Sequence, residues 1–242
     1  MKSRKKNLRQ VYVWELPVRF YHWLNALSIL VLCVTGFIIA RPLGLMSQVE
    51  ANFSYWFGIV RFIHFVAAFV FLFNFAFRIY WGFVGNKYAK WDNYIPLRIA
   101  QWKEFWHVIK TDILMIDNQP ERIIGHNTVA SVSYFVLFLA FLLQCFTGFG
   151  LYAQTSTSSL FQMFTWIVPM LGGEMDVRII HRLLMWFFII FTLFHVYIVL
   201  YHDYIARRSY ISAIIGGWKI VPEDVAAEEE AAERWENLWY GK

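Results

Sequence analysis

Four histidines interrupt the most apolar parts of this sequence: His22, His64, His181 and His195. Two of them bracket R-I-I-H-R-L-L-M-W-F-F-I-I-F-T-L-F-H, residues 178–195, and stand fourteen positions apart. On an α-helix fourteen residues advance about 1400°, within roughly 40° of a whole number of turns, and rise about 21 Å. His181 and His195 therefore face the same way at two depths. Ionisable side chains within a membrane are costly and usually functional. Imidazoles facing each other across a helix bundle are a standard means of holding a metal or haem iron. Two axial imidazoles leave no open iron position, so the chemistry is electron transfer. Zinc fits less well, because it wants four ligands converging on a point and no cysteines or carboxylates cluster here. A lone histidine near a helix end is more often a hydrogen-bonded interfacial residue; four at matched depths ask for more.

The elements that position them follow from composition. Of 242 residues, 59% are hydrophobic and 16% charged, against about a quarter charged in soluble domains. Four apolar segments, near 22–40, 63–84, 129–152 and 183–202, have the roughly 20 residues needed to cross a bilayer core. The expected fold is an all-α integral membrane bundle of four transmembrane helices. Its parts are a basic N-terminus (1–21), the four-helix domain (22–202) and a C-terminal tail (203–242). No cleavable leader is expected, since the first apolar run is long and lacks a small-residue cleavage site.

Basic residues set the orientation. Lys2, Arg4, Lys5, Lys6, Arg9 and Arg19 precede the first span, and Lys87, Lys90, Arg98, Lys103, Lys110 and Arg122 lie between the second and third. Both termini and the middle loop are therefore expected in the cytoplasm, and the net charge of +5 reads as topology with no nucleic-acid partner. The histidines then pair by depth, His64 with His181 at the outer side and His22 with His195 at the inner side. Gly36 and Gly148 fall at the outer depth, where glycine lets a flat macrocycle approach backbone or lets helices pack closely. Arg61, Arg178 and Arg182 stand near the outer pair and Arg19 and Arg78 near the inner one. Guanidinium groups suit haem propionates, or they snorkel to the interface. His202, seven residues beyond His195, competes for the inner site, and His107 is expected to be solvated.

An internal echo runs through the halves. Cys33-Val34-Thr35-Gly36-Phe37 resembles Cys145-Phe146-Thr147-Gly148-Phe149, and Arg61 through His64 resembles Arg178 through His181. Duplication and chance both remain open. Trp102, Phe105, Trp106, Ile109 and Ile113 recur at helical spacing, as in an interfacial helix on the cytoplasmic face. The acidic tail from residue 222 reads as a solvated helix or disorder, with Trp235 and Trp239 as candidates for docking. The remaining aromatics are expected mostly to face lipid and the interfaces. A transporter would need polar paths and broken helices, which the spans lack, and a plain anchor would not need paired histidines. No C-x-x-C-H is present, which excludes c-type haem attachment.

Arg19-Phe20-Tyr21-His22-Trp23-Leu24, continuing to Thr35-Gly36, resembles the first signature of the b-type cytochrome subunits of membrane-bound nickel–iron hydrogenases, in the cytochrome b561-like superfamily. Arg178 through His181-Arg182, Trp186 and Phe191 to His195 resembles the second, with Ile179 departing from a small residue. The resemblance covers nearly the whole chain. It implies two haems b ligated by His22, His64, His181 and His195. It also implies a chain that anchors a periplasmic hydrogenase in the bacterial inner membrane, takes electrons from the iron–sulfur small subunit paired with the nickel–iron large subunit, and reduces quinone. Formate dehydrogenase cytochromes share the plan and remain the alternative. The G-H-N stretch resembles the family's, which makes Arg122, His126 and Asn127 candidates for a quinone site; a helix capped by Asn127 is the competing reading.

Overall fold

A computed structural model describes residues 7–42, 55–91, 105, 110, 124–204 and 209–240, with side chains to 235. The elements are β1 (Leu8–Tyr12), α1 (Leu16–Ala40), α2 (Trp56–Val84), α3 (Thr128–Ala153), the short α4 (Ser159–Gln162) and α5 (Ile167–Met170), α6 (Glu174–Tyr204), α7 (Tyr210–Gly216), β2 (Trp218–Pro222) and α8 (Glu223–Tyr240). The interfacial helix expected around Trp102–Ile113 lies almost wholly outside the described residues, as do His107 and Arg122.

Helices α1, α2, α3 and α6, of 25, 29, 26 and 31 residues, are long and apolar enough to cross a membrane. Their C-terminal ends lie within two residues of the expected spans. The third begins within one residue of its expected start, and the other three begin well before theirs, at Leu16, Trp56 and Glu174. The extra turns carry Arg19, Arg61 and Arg178, so they leave the apolar window, yet backbone hydrogen bonding continues through them. Glu174 and Asp176 occupy the first turn of α6, where a helix N-terminus favours negative charge. Asn127 caps α3, its Oδ1 accepting the Ala130 amide at 2.8 Å.

The chain divides into two compact units. One comprises Phe20–Tyr80 and Val136–Phe194. Its core is a cluster of Phe71 and Phe75 on α2, Phe141 on α3 and Phe188 on α6, each at most 6% exposed. Phe141 lies 5.0 Å from both Phe71 and Phe188, ring centre to ring centre. Many span aromatics, among them Phe62, Phe73, Trp186 and Phe194, are exposed on the helix surfaces as expected; these four rings are the exception and form the interior of the bundle. Phe71 and Phe188 each follow a histidine (His64, His181) by seven residues, two helical turns or about 10 Å along the axis. Polar groups are also present within the spans. Asn74 is buried and its Nδ2 donates to the Tyr21 carbonyl at 3.1 Å.

The other unit comprises Met1–Arg19, Trp81–Phe135 and His195–Lys242, and it corrects the all-α expectation. β1 and β2 pair antiparallel, from Leu8 opposite Pro222 to Tyr12 opposite Trp218. Behind them Val13, Tyr88, Ile124, Val221, Val225 and Ala226 form a buried cluster. Glu15, just before α1, ties this unit together internally, its Oε2 accepting the Trp81 indole N–H at 3.0 Å and the Asn86 amide at 2.9 Å. Arg19, expected near the inner histidines, gives its Nη1 to the Ile215 carbonyl at 2.6 Å. The acidic tail forms α8, whose Val225 and Ala226 are buried while Trp235 is 65% exposed, so Trp235 does not dock.

Gly217 turns the chain into β2 with φ +91°, and its carbonyl accepts the amides of Val13 and Trp14 at 2.8 and 3.1 Å. A Cβ there would stand 2.6 Å from Tyr12 Cε2 and 2.8 Å from the Trp14 oxygen. Gly217→Ala is therefore expected to destabilise the strand pair by about 1–3 kcal/mol, measured as faster hydrogen exchange of the β1 amides with α3 unaffected.

Lys87 Nζ lies 2.9 Å from Glu229 and 3.0 Å from Glu233 on α8, and the Tyr88 hydroxyl donates to Glu229 at 2.7 Å. Burial opposes the Lys87 charge, but hydrogen bonds to the two glutamates outweigh it and raise its pKa. Burial, then the Glu229 hydrogen bond, raises the Tyr88 phenol as well. Both groups hold their protons more tightly folded than unfolded. Their contribution is thus complete below the unfolded values of about 10 and lost as pH rises beyond them. The α8 contact is expected to resist limited proteolysis unchanged from pH 7 to about 10 and to loosen above that; loosening at pH 8 would contradict this.

Candidate haem site

The outer histidine pair sits within the Phe20–Tyr80 and Val136–Phe194 unit, on two matching frames. Thr35 on α1 donates its hydroxyl to the Val31 carbonyl at 2.6 Å, and its Oγ1 lies 2.8 Å from His64 Nδ1. Thr147 on α3 donates to the Leu143 carbonyl at 2.9 Å, and its Oγ1 lies 2.9 Å from His181 Nδ1. Each hydroxyl has one proton and spends it on its own helix. The oxygen is left as an acceptor, which suits an imidazole with its proton on Nδ1 and its Nε2 lone pair available, at His181 to the Gln144 amide that lies 3.1 Å away.

The glycines complete the match. A Cβ on Gly36 would meet His64 Cε1 at 3.3 Å, and one on Gly148 would meet His181 Cε1 at 3.3 Å. Each ring lies against bare backbone. The internal echo is therefore three-dimensional: the Thr-Gly of one helix frames a histidine of the next, once in each half. Gln144 breaks the equality. Its Nε2 lies 3.1 Å from His181 Nε2, whereas the echo places Leu32 at the corresponding position of α1.

Among the described residues no three His, Cys, Asp or Glu side chains converge as a metal site. The donor set consists of single imidazoles on separate helices, backed by glycine. That is a fit for haem, whose macrocycle brings four of the six iron ligands itself.

Thr35 and Thr147 are the residues that the sequence reading missed. Both stand in the Cys-x-Thr-Gly-Phe echo, where only the glycines were singled out. The arginines are placed as follows. Arg61 is exposed with its guanidinium 5.8 Å from the Phe65 ring centre. Arg178 is paired with Glu174 one turn earlier, Nε at 3.1 Å, and Arg182 is exposed. Arg78 is 2% exposed, with its guanidinium 6.0 Å from the Tyr21 ring centre.

His22 belongs to the same unit as the outer pair and lies edge-on to Trp23 at 5.2 Å. His195 belongs to the other unit, on the continuation of α6 fourteen residues past His181. His202 is buried beside Tyr201 and Tyr210. His126 packs edge-on against Trp14 at 4.6 Å and stands 6.3 Å from Tyr134. The side-chain oxygen of Asn127 is committed to the α3 cap.

Four membrane-length apolar helices with single imidazoles seated against glycine are the features of a membrane-type helical cytochrome. The chain belongs to the prokaryotic cytochrome b561 family, whose profile matches residues 13–217. Its cofactor is accordingly haem b. Relatives include proteins of Azotobacter vinelandii, 39% identical with 88% of this chain and 90% of the relative covered, and Cupriavidus necator, 36% identical with 88% of each covered. A third, from Escherichia coli K12, is 36% identical with 90% of this chain and 94% of the relative covered. The A. vinelandii and C. necator proteins carry the description "Probable Ni/Fe-hydrogenase B-type cytochrome subunit", and the E. coli protein the same for hydrogenase 1.

Proposed function

We propose that this chain is the di-haem membrane anchor of a nickel–iron hydrogenase. In this reading it receives electrons from the iron–sulfur small subunit of a periplasmic enzyme and delivers them to the membrane quinone pool. The observation that carries the reading is the repeated frame in which Thr35 and Gly36 seat His64 while Thr147 and Gly148 seat His181. The descriptions of the relatives as Ni/Fe-hydrogenase B-type cytochrome subunits support a hydrogenase partner; in this reading the nickel–iron large subunit is reached through the small one.

In this reading His64 and His181 would hold one haem iron through Nε2, and the depth pairing read from the sequence assigns His22 and His195 to the second. Haem b, when bound, supplies a one-electron iron couple. Two imidazoles held to one iron would leave it no open position for oxygen, so the group would carry electrons and do no oxygen chemistry. Arg61, Arg178 and Arg182 at the outer end and Arg78 at the inner would pair with propionates through their guanidinium groups; Arg178 would have to share itself with Glu174. The inner-membrane placement, with both termini and the middle loop in the cytoplasm, follows from the basic residues of those segments. In the sequence Arg122, His126 and Asn127 stand just before α3; in this reading His126 would hydrogen-bond a quinone carbonyl and pass it a proton from the cytoplasmic side, while Asn127 keeps its side-chain oxygen for the helix cap. Turnover is then electrogenic, and hydrogen-driven quinone reduction in proteoliposomes should build a membrane potential.

The test is the purified full-length chain. Reduced-minus-oxidised b-type bands and about two haems per chain are the expected result. Well-folded protein without such bands would remove the reading. Co-purification with an iron–sulfur subunit of formate dehydrogenase in place of hydrogenase would reassign the partner and leave the cytochrome role.

A further inference from the structure

We propose that Thr35 and Thr147 are positioning residues for haem ligation, each holding its histidine as the Nδ1–H tautomer and fixing the plane in which Nε2 is presented. The inference rests on ligation of the outer iron by His64 and His181.

An imidazole on a helix can turn about two side-chain bonds, so Nε2 points usefully only if the ring is gripped elsewhere. Here it is gripped at two adjacent atoms. Nδ1 meets the threonine oxygen at 2.8 Å (His64) or 2.9 Å (His181), and Cε1 abuts the next residue's glycine backbone. The grip is itself rigid. Threonine is β-branched with few rotamers, and each hydroxyl is tied down to a carbonyl of its own helix one turn back. Thr35 and Thr147 are 7% and 0% exposed, so water does not compete for the bond.

The chain carbonyl–hydroxyl–imidazole also has an electronic consequence. A hydroxyl whose proton is engaged is a better acceptor, and an acceptor at Nδ1–H makes the ring a more basic iron ligand. More basic ligands favour ferric iron and lower the midpoint potential. A threonine that merely satisfied its own helix, a common arrangement, would not need to face a histidine in both halves of the molecule.

The test compares the full-length haem-loaded chain with T35V, T147V, T35S and T147S. The lowest-field g value in electron paramagnetic resonance of the oxidised protein reports the angle between the two axial ring planes, and a redox titration gives the midpoint potentials. The valine variants should shift the g value of one haem and raise its potential, with the other haem unmoved. The serine variants should return both readings to wild type. Valine variants with wild-type g value and potential would overturn the proposal. Where valine costs the outer haem entirely, serine decides: restored haem supports the hydroxyl's role, and equal loss overturns it. H64A serves as the control for the underlying ligation. If it keeps both haems, the ligand assignment fails and the proposal with it; if it loses one while the valine variants are unchanged, only the threonine role fails.

Discussion

His181→Ala is expected to leave the purified chain with about one haem in place of two, and hydrogen-driven quinone reduction should fall by more than about 100-fold, since even loss of a residue supporting a ligand costs 10–100-fold. His181 stands in a frame built for a single imidazole, with Thr147 at Nδ1 and bare Gly148 at Cε1. Gln144 lies beside the vacated position, but an amide is a poor donor to haem iron, so no neighbour replaces the lost bond. The remaining spectrum should be that of the inner haem, with its potential little changed. A pyridine haemochrome assay counts the haem, and a quinone-reduction assay of the assembled complex reads the activity. Retention of both haems would refute the pairing of His181 with His64.

The second large effect concerns the glycines. Gly148→Leu should abolish outer-haem binding while the helices persist, measured as loss of one haem by absorbance with unchanged far-ultraviolet circular dichroism. Gly148→Ala should keep the haem. A Cβ at 3.3 Å from His181 Cε1 asks the ring to give by a few tenths of an ångström, whereas a leucine side chain would occupy the ring's place. Gly148 separates two roles that the sequence left open. The atoms that its Cβ would meet are those of His181, so the position clears an imidazole. At Gly36 Met185 Sδ lies 3.7 Å from the same point, so helix packing and ring clearance coincide there. A Gly148→Leu chain that kept both haems would contradict this division.

Hydropathy made the four spans legible, because a bilayer demands long uninterrupted apolar helices whatever their neighbours. The outer site was half legible. Histidines and glycines declare themselves in an apolar run, whereas the part played by Thr35 and Thr147 depends on which way a hydroxyl turns. Nor could the sequence pick out Phe71, Phe75, Phe141 and Phe188 as interior, since in lipid the outward and inward faces of a helix are equally apolar. The strands were hidden for a different reason. L-R-Q-V-Y and W-K-I-V-P are five residues each and more than 200 residues apart, so neither pairs with anything local. The Arg178–Glu174 pair, by contrast, is a helical i,i+4 contact readable from spacing alone, and it changes how freely Arg178 can serve another carboxylate.

The four packed phenyl rings have an electrical meaning. The ring cluster itself is hydrocarbon, and the buried amide beside it, Asn74, is engaged with the Tyr21 carbonyl, so the rings give a thread of water nothing to hang on and a proton no wire to follow there. Electrons need none, because they tunnel through hydrocarbon. A bundle plugged in this way would conduct one kind of charge and insulate against the other, which is what the proposed redox reaction needs in order to load the bilayer as a capacitor without discharging it.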